Sequence, residues 1–428
     1  MKASGIRSML KRIRILRSKN VFQFFRMILL KNYKMSNSKL LSNAEIVIGE
    51  EELIEKISQG KKLKIKFVVD PTRPDLTFGH LVVFNKLKQF QDAGHEAILL
   101  IGDYTARIGD PSGRSDLRPE LTEAEVNENA ETYLEQAFRI IDPKKTTVRR
   151  NSEWFSKMSF ADSLSLSRKM TVARMLERDD FEKRFKKNQP ISMVEFMYPL
   201  IQGYDSIILE SDVEIGGSDQ LFNMLVGRAL QKDEGLQSQA VLTMPLLVGL
   251  DGSRKMSKSF DNYIAFNDKA RDIFGKTMSI SDETMWDYYK LLLLKSEDTI
   301  GSLKQNHPME MKKNLSMELT SLFYGSEIGE REKISFGNVF TQRENPDDME
   351  SFSITQIISE GEIPNILNIL NKTENFESKG QIRRLIQQGA IKIDGQKVDK
   401  PEDLINLDKS STGKVVKAGK KIFFNLVP

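Results

Sequence analysis

Residues 63–90 read LKIKFVVDPTRPDLTFGHLVVFNKLKQF, and this stretch sets the expected fold. In its first part, apolar residues alternate with lysines and then follow one another without interruption, a pattern that predicts a partly buried strand. Pro71 and Pro74 end that strand, and apolar residues at helical spacing from Gly79 onward predict a helix. A helix that starts directly after a strand directs free backbone N–H groups outward, so the junction suits an anion such as phosphate. An ordinary strand–helix junction with a capping His80 explains the stretch equally well.

A second segment, residues 251–259 (DGSRKMSKS), also suits phosphate. Its glycine and three serines predict a flexible polar loop, and Lys255 and Lys258 carry charge on long stems. Such lysines can close over a triphosphate and neutralise charge as pyrophosphate leaves. A solvated basic turn is the more common fate of a short Lys/Ser run. We call residues 71–80 the first phosphate segment and residues 251–259 the second phosphate segment. Their occurrence together in one chain nevertheless favours a nucleotide-activating site.

Three more motifs accompany the two phosphate segments: residues 104–113 (YTARIGDPSG), 198–205 (YPLIQGYD) and 216–220 (GGSDQ). With them, the chain resembles the bacterial-type tyrosyl-tRNA synthetases, a family of class I aminoacyl-tRNA synthetases, over about residues 40–428. The resemblance implies ATP-dependent activation of L-tyrosine to tyrosyl-adenylate, then transfer to the 3′-terminal adenosine of tRNA(Tyr). It also implies ATP bound as its Mg²⁺ complex, no tightly bound cofactor or protein metal site, a homodimer and no membrane contact.

The resemblance further implies a role for each residue that matches a family motif. The catalytic residues would be Thr77, His80, Lys255 and Lys258. The ATP-binding residues would be Thr72, Gly79, His80, Gly217 and Lys258. The tyrosine-binding residues would be Asp70, Thr105, Asp110, Tyr198, Gln202, Asp205, Asp219 and Gln220, with Asp205 accepting the proton of the substrate phenol.

The 198–205 motif also supports a pocket on physical grounds. Tyr198, Gln202 and Asp205 stand at i, i+4 and i+7 and therefore share one helical face. An exposed amphipathic helix would show the same stripe, but Pro199 predicts a helix start or a kink beside Tyr198. The sequence thus favours a binding face over a solvent stripe.

Three positions depart from the family pattern. Thr77 replaces the first histidine of the family's signature, although its hydroxyl can still donate to phosphate. Many relatives have glycine where Val68 stands, and some have a tyrosine that contacts the substrate hydroxyl where Lys66 stands. We therefore expect Val68 to narrow the pocket, and the second contact to the phenol stays unassigned.

Strand and helix patterns alternate as far as about residue 265, which predicts an α/β fold with a Rossmann-like doubly wound parallel sheet. Further strands are predicted at 97–101, 241–244 and 246–248. We expect four parts: a basic extension (1–34), a catalytic domain (35–265), a helical domain (266–348) and a small α+β RNA-binding domain (352–428). The family resemblance implies that the helical domain binds the anticodon. Residues 343–348 (RENPDD) break helices and predict a linker.

The last part resembles the RNA-binding fold named after the fourth small-subunit ribosomal protein. An amphipathic helix over 379–390 ends at Gly389, and a hairpin turns at Asp394 and Gly395. A basic face for an RNA backbone would consist of Lys379, Arg383, Arg384, Lys392 and Lys397. A solvated helix face is the alternative interpretation.

Charge and composition add smaller constraints. Residues 1–34 contain ten Lys and Arg and no Asp or Glu, which resembles an organellar transit peptide. A start codon assigned too far upstream, with Met35 as the true first residue, is the favoured explanation, so we expect a cytoplasmic protein. The absence of cysteine excludes disulfides and thiolate zinc sites, and we expect His95 and His307 to be exposed.

Two other functions stay open at this point. Tryptophanyl-tRNA synthetases share the fold and both signatures, although the Tyr198/Gln202/Asp205 stripe and the C-terminal RNA module argue against that substrate. A synthetase-derived RNA-binding protein that no longer aminoacylates is the alternative from another class, and Val68 is the feature that favours it.

Overall fold

The computed structural model describes residues 40–111, 121–338, 349–358, 362–373, 375–376, 378–405, 413–419 and 422–428. The chain divides into two compact units, of which the first ends at Gly329 and the second begins at Glu330. The basic extension at 1–34 and the linker predicted at 343–348 lie outside the described residues. In the described part, no helix combines the length and apolar character needed to cross a bilayer.

A six-stranded sheet forms the centre of the first unit. Its strands are β1 (Ile46–Ile48), β2 (Lys64–Val69), β3 (Glu96–Ile101), β4 (Thr146–Arg150), β5 (Val213–Gly217) and β6 (Ala240–Met244). The spatial order is β1-β6-β5-β2-β3-β4, with β1 antiparallel to β6 and the other pairs parallel. The chain runs outward from β2 to β4 on one side and from β5 to β6 on the other. The strand order therefore reverses between β2 and β5, which is the point where doubly wound sheets bind their ligands. This topology confirms the predicted fold class.

Helices connect the strands of this sheet, and more helices follow the last strand, β6, along the chain. They are α1 (Glu50–Ser58), α2 (Phe78–Asp92), α3 (Thr105–Ile108), α4 (Glu123–Ala137), α5 (Ser152–Phe155), α6 (Phe160–Ser167), α7 (Val172–Met175), α8 (Asp179–Lys186), α9 (Met193–Leu209), α10 (Leu221–Asp233), α11 (Ala270–Met278), α12 (Asp282–Leu291), α13 (Glu297–Leu303), α14 (Pro308–Tyr324) and α15 (Ser326–Gly337). Buried residues of α11, α12 and α14, such as Ile273, Tyr289 and Leu315, belong to the same apolar core as β2 and α2. The described part of the stretch predicted to be helical after residue 266 thus consists of five helices joined by short connections.

The alternation of side chains along β2 explains how the sheet forms a site. Ile65, Phe67 and Val69 enter the apolar core. Lys66 and Val68 point to the opposite face, where Lys66 contacts α9. Asp70 follows the last residue of the strand, so a carboxylate stands at the carboxyl edge of the sheet.

Three local predictions need correction. Residues 246–248 do not form a strand, because β6 ends at Met244 and Pro245 cannot donate to a ladder. His95 is buried rather than exposed: its Nδ1 accepts from the N–H of Leu63 at 3.3 Å as the chain enters β3. Pro199 lies inside α9, which starts at Met193, so of the two alternatives predicted for this proline the helix start is wrong and the kink stays a prediction.

The second unit contains its own five-stranded sheet and short helices. These elements are β7 (Glu350–Ser353), α16 (Ile354–Ile357), α17 (Ile366–Lys372), α18 (Lys379–Gln387), β8 (Ile391–Ile393), β9 (Gln396–Lys397), β10 (Lys414–Ala418) and β11 (Ile422–Val427). The order β7-β11-β10-β8-β9 is antiparallel except for β7 beside β11. Gly389 ends α18 at φ +65°, and Asp394 and Gly395 turn the hairpin at φ +49° and +81°, which confirms the predicted helix end and hairpin.

Candidate active site

A cavity of about 680 Å³ opens at the carboxyl ends of β2 and β5, where the sheet changes direction. Both phosphate segments line it. Of the site residues predicted from the sequence, those that line the cavity are Asp70, Thr72, Thr77, Gly79, His80, Asp110, Tyr198, Gln202, Gly217, Asp219, Gln220, Lys255 and Lys258. Thr105 and Asp205 do not line it.

The first phosphate segment ends in a capping box at the start of α2. The N–H of Thr77 donates to Nδ1 of His80 at 3.1 Å, and the Thr77 hydroxyl lies 2.9 Å from the same nitrogen. Because Nδ1 accepts from the backbone, the ring proton belongs on Nε2. Burial, reinforced by the charge of Lys258, lowers the pKa of His80 to about 3. His80 is therefore a neutral N–H donor at the cavity wall throughout the physiological range.

The second phosphate segment contacts the first one directly. The Lys258 ammonium donates to the carbonyl oxygen of Asp75 at 2.5 Å, to the Tyr133 hydroxyl at 2.8 Å and to the carbonyl of Arg73 at 3.4 Å. The Arg73 guanidinium donates in return to the Lys258 carbonyl at 3.4 Å. Two stretches about 180 residues apart thus share one edge of the cavity, as the sequence predicted.

Backbone pairing joins the first phosphate segment to the residues that follow the second one. The N–H of Phe78 donates to the carbonyl of Ile264 at 3.0 Å, and that of Phe266 donates to Leu76 at 2.9 Å. Within the loop, the N–H of Met256 donates to the carbonyl of Leu247 at 2.7 Å. The residues that were predicted as a strand at 246–248 therefore serve as one arm of this loop.

Carboxylates gather at the other end of the cavity. Asp70 accepts from the Tyr198 hydroxyl and from the Thr105 hydroxyl, each at 2.8 Å. Asp110 accepts from the Gln220 amide at 2.8 Å. Asp110 also lies 3.7 Å from the guanidinium of Arg178. Two carboxylates at one end of a cavity suit a small organic cation such as an ammonium group.

A buried ion pair adjoins this acidic end through Glu214, which lines the cavity, and sequence reasoning missed the pair. The Lys66 ammonium lies 3.0 Å from Glu214, and both side chains are fully buried. Gln202, which lines the cavity, donates to Glu214 at 3.1 Å, and its carbonyl accepts from Lys66 at 3.1 Å. Because Lys66 and Glu214 are directly paired between β2 and β5, two opposite charges in otherwise apolar strands were the signal that could have revealed the pair.

Asp205 does not line the cavity, and its contact with the substrate phenol stays a prediction. Its carboxyl group is completely buried and accepts from the Trp154 indole at 2.9 Å, with the Asn151 amide at 3.5 Å. Burial raises its pKa to about 8, despite the opposing effects of Lys66 and Trp154. Asn151 and Trp154 carried no signal in the sequence, since single polar or aromatic residues occur everywhere.

The basic residues predicted on the second unit are all exposed: Lys379, Arg383, Arg384, Lys392 and Lys397. Lys392 is opposite Lys397 across β8 and β9 and opposite Lys417 across β8 and β10. Like charges opposite one another weaken a sheet unless an anion is near. The sheet thus aligns three lysines in one row.

Comparison with known proteins gives consistent matches. Residues 58–341 match the family of class I tRNA synthetases for tryptophan and tyrosine, and residues 343–426 match the C-terminal domain of tyrosine–tRNA ligases. The tyrosine–tRNA ligase of Oleidesulfovibrio alaskensis is 48% identical over 91% of this chain and 97% of its own length. That of Thermotoga maritima is 47% identical over 90% and 96%, respectively. The crystal structure of Archaeoglobus fulgidus tyrosyl-tRNA synthetase with L-tyrosine shares the fold, at a TM-score of 0.58 and 24% identity over 71% of this chain and 99% of that one.

Proposed function

The chain belongs to the tyrosine–tRNA ligases, a family of class I aminoacyl-tRNA synthetases, and from this premise we propose how its residues carry out the reaction. The activity is the ATP-dependent joining of L-tyrosine to its tRNA. The tyrosine carboxylate attacks the α-phosphorus of ATP, which gives tyrosyl-adenylate and pyrophosphate. A ribose hydroxyl of the tRNA's terminal adenosine then attacks the acyl carbon, and AMP leaves. No protein nucleophile takes part, so the chain contributes orientation and electrostatic stabilisation.

The triphosphate would bind where the two phosphate segments meet. His80 would donate its Nε2–H to a phosphate oxygen as a neutral group, which its pKa of about 3 supports. Thr72, Thr77, Gly79 and Gly217 would line the path of the nucleotide. Lys255 and Lys258 would stabilise the charge that develops on the departing pyrophosphate, and Mg²⁺ would arrive as part of the substrate complex.

Tyrosine would bind with its ammonium group at the acidic end of the cavity. Asp70 and Asp110 offer carboxylate oxygens there, and the Tyr198 hydroxyl orients Asp70. Gln202, Asp219 and Gln220 would complete the lining around the amino acid. Thr105 would act through Asp70, since its hydroxyl donates to that carboxylate. Asp205, whose carboxyl group is buried, stays the predicted partner of the substrate phenol.

The second unit would bind tRNA. Its three aligned lysines, Lys392, Lys397 and Lys417, present a row of positive charge that suits a phosphate backbone. Arg383 and Arg384 are exposed on α18 and would extend this basic surface, together with Lys379. Cytoplasmic location remains a prediction.

A homodimer has support from exposed apolar side chains. Phe160 is 79% exposed and Met193 is 74% exposed, and Val172 and Phe185 between them also face solvent. These residues belong to α6, α7 and α8 and the start of α9, a segment with a small apolar core of its own. Such a density of exposed apolar groups is typical of a surface that a partner covers. We assign that surface to a second copy of this chain.

The observation that carries the proposal is the convergence of Lys258 with the first phosphate segment. We expect Lys258→Ala to slow single-turnover formation of tyrosyl-adenylate by about 100-fold, as for loss of one group that stabilises transition-state charge. The dissociation constant for tyrosine should stay unchanged. Arg254→Ala is the matched control, because it removes one positive charge from the same loop at a residue that pairs with Asp251 and does not line the cavity. An unchanged rate in Lys258→Ala, or an equal loss in Arg254→Ala, would contradict the role of Lys258.

A further inference from the structure

We infer that Tyr133 is a positioning residue for the reaction, because its hydroxyl holds the ammonium group of Lys258 at the phosphate segments. This inference rests on the proposed role of Lys258 and adds a residue outside all five sequence motifs. Tyr133 lies on α4, is 1% exposed and has its hydroxyl at the cavity wall.

The surroundings of Tyr133 on α4 support a positioning role. Asn129, Thr132, Tyr133 and Gln136 stand at i, i+3, i+4 and i+7 and therefore form one face of the helix. Asn129 donates to the carbonyl of Pro71 at 3.1 Å, and Thr132 and Gln136 donate to the carbonyl of Pro74 at 2.7 and 2.8 Å. In return, Gln136 accepts from the N–H of Leu76 at 2.8 Å.

This face of α4 holds both halves of the phosphate site. Three of its members fix the backbone of the first phosphate segment, whose Asp75 and Arg73 carbonyls contact Lys258. Tyr133 contacts Lys258 itself. A single rigid helix thus sets the distance between the backbone turn and the lysine that would act on the same phosphates.

The geometry identifies a hydrogen bond rather than a cation–π contact. The Lys258 nitrogen is 2.8 Å from the phenol oxygen but 5.2 Å from the ring centroid, so it lies beyond the hydroxyl and not over the ring face. The oxygens of Tyr133, Asp75 and Arg73 are all neutral. They therefore orient the ammonium without cancelling the charge that a phosphate would use. The Arg73 contact, at 3.4 Å, is the longest of the three and the one most readily exchanged for a phosphate oxygen.

Tyr133→Phe tests the inference because it removes only the hydroxyl and keeps the buried ring. We expect adenylate formation in a single turnover to slow about tenfold, equivalent to about 1.4 kcal/mol in the barrier, with tyrosine affinity unchanged. Tyr289→Phe is the matched control: this tyrosine is equally buried, and its hydroxyl donates to the carbonyl of Met311 at 2.7 Å, away from the cavity. We expect the control to keep the wild-type rate.

A double-mutant cycle with Lys258→Ala separates positioning from general stability. If Tyr133 acts through Lys258, Tyr133→Phe should add no further loss once the lysine is absent. A rate within twofold of wild type for Tyr133→Phe, or a tenfold loss that persists without Lys258, would overturn the inference. If Lys258→Ala alone leaves adenylate formation unchanged, the proposed role of Lys258 fails first, so the two failures are distinguishable.

Discussion

Replacement of Lys66 by methionine should strongly destabilise the first unit. The Lys66 ammonium lies 3.0 Å from Glu214, and both side chains are fully buried between the sheet and α9. Methionine keeps most of the volume of lysine but removes its charge and its donors. Glu214 would then be a buried carboxylate held only by the neutral donors of Gln202, Ser206 and Gln239.

The size of the effect follows from this geometry. At 3.0 Å and an effective dielectric constant of about 20, the attraction between two unit charges is about 5–6 kcal/mol. Desolvation of the pair offsets much of this in the intact protein, but removal of one partner leaves the other charge uncompensated. Such changes typically cost about 3–5 kcal/mol. The double variant Lys66→Met/Glu214→Gln removes both charges and should recover most of the lost stability.

Urea unfolding followed by tryptophan fluorescence measures this effect. Both tryptophans, Trp154 and Trp286, belong to the first unit, so the signal reports on that unit alone. Lys61→Met is the matched control, because it removes the same charge from a pair with Asp212 in which the lysine is 49% exposed, and it should cost less than about 1 kcal/mol. Equal unfolding midpoints for Lys66→Met and Lys61→Met would refute the reasoning, as would a double variant no more stable than Lys66→Met.

Two further predictions concern the buried carboxyl group and the exposed apolar surface. Folding raises the pKa of the Asp205 carboxyl group from its ordinary value of 3.8 to about 8. Between these two pH values the folded protein binds more protons at this group than the unfolded chain does. The contribution of Asp205 to the free energy of unfolding therefore falls progressively as pH rises from 4 to 8. The stability of Asp205→Asn relative to wild type should therefore rise between pH 5 and 8, by at most about 1.4 kcal/mol per pH unit, and a pH-independent difference in urea unfolding would contradict the raised pKa. Phe160→Asp should shift the molar mass measured by light scattering towards that of a monomer, because it adds a charge to a side chain that is 79% exposed on the proposed interface. Leu322→Asp, at an exposed apolar residue of α14, should leave the mass unchanged, and equal behaviour of the two variants would remove the argument for that interface.

The features that the sequence predicted well depend on local pattern or on contiguous motifs. The strand–turn–helix at residues 63–90 follows from alternation, two prolines and helical spacing, and β2 and α2 match it closely. The hairpin at Asp394 and Gly395 follows from the preference of this dipeptide for positive φ. The convergence of the two phosphate segments followed from their shared affinity for phosphate and not from any local rule.

The features that the sequence did not predict depend on which residues become neighbours in space. Lys66 and Glu214 are almost 150 residues apart, and only the parallel pairing of β2 with β5 makes them partners. The hydrogen-bond partners of Asp205 were not predicted either, because Trp154 and Asn151 follow β4, a strand from a distant part of the sequence that lies next to β3 at the edge of the sheet. His95 was predicted to be exposed because it follows a glycine turn. However, β3 starts one residue later, and the ring of His95 packs against Phe90, with 5.8 Å between the ring centroids.

The two lysines of the second phosphate segment differ in a way that bears on their order of action. Lys255 forms an ion pair of 2.6 Å with Asp219, whereas the hydrogen-bond acceptors that surround Lys258 in this structure include two carbonyls and a phenol. To bind a phosphate, the Lys255 ammonium must separate from a carboxylate, whereas the Lys258 ammonium only has to exchange a neutral acceptor for a phosphate oxygen. The electrostatic cost of binding a phosphate is therefore smaller for Lys258. Lys258 should therefore engage the incoming triphosphate first, and Lys255 should follow once the negative charge of the phosphates competes with Asp219.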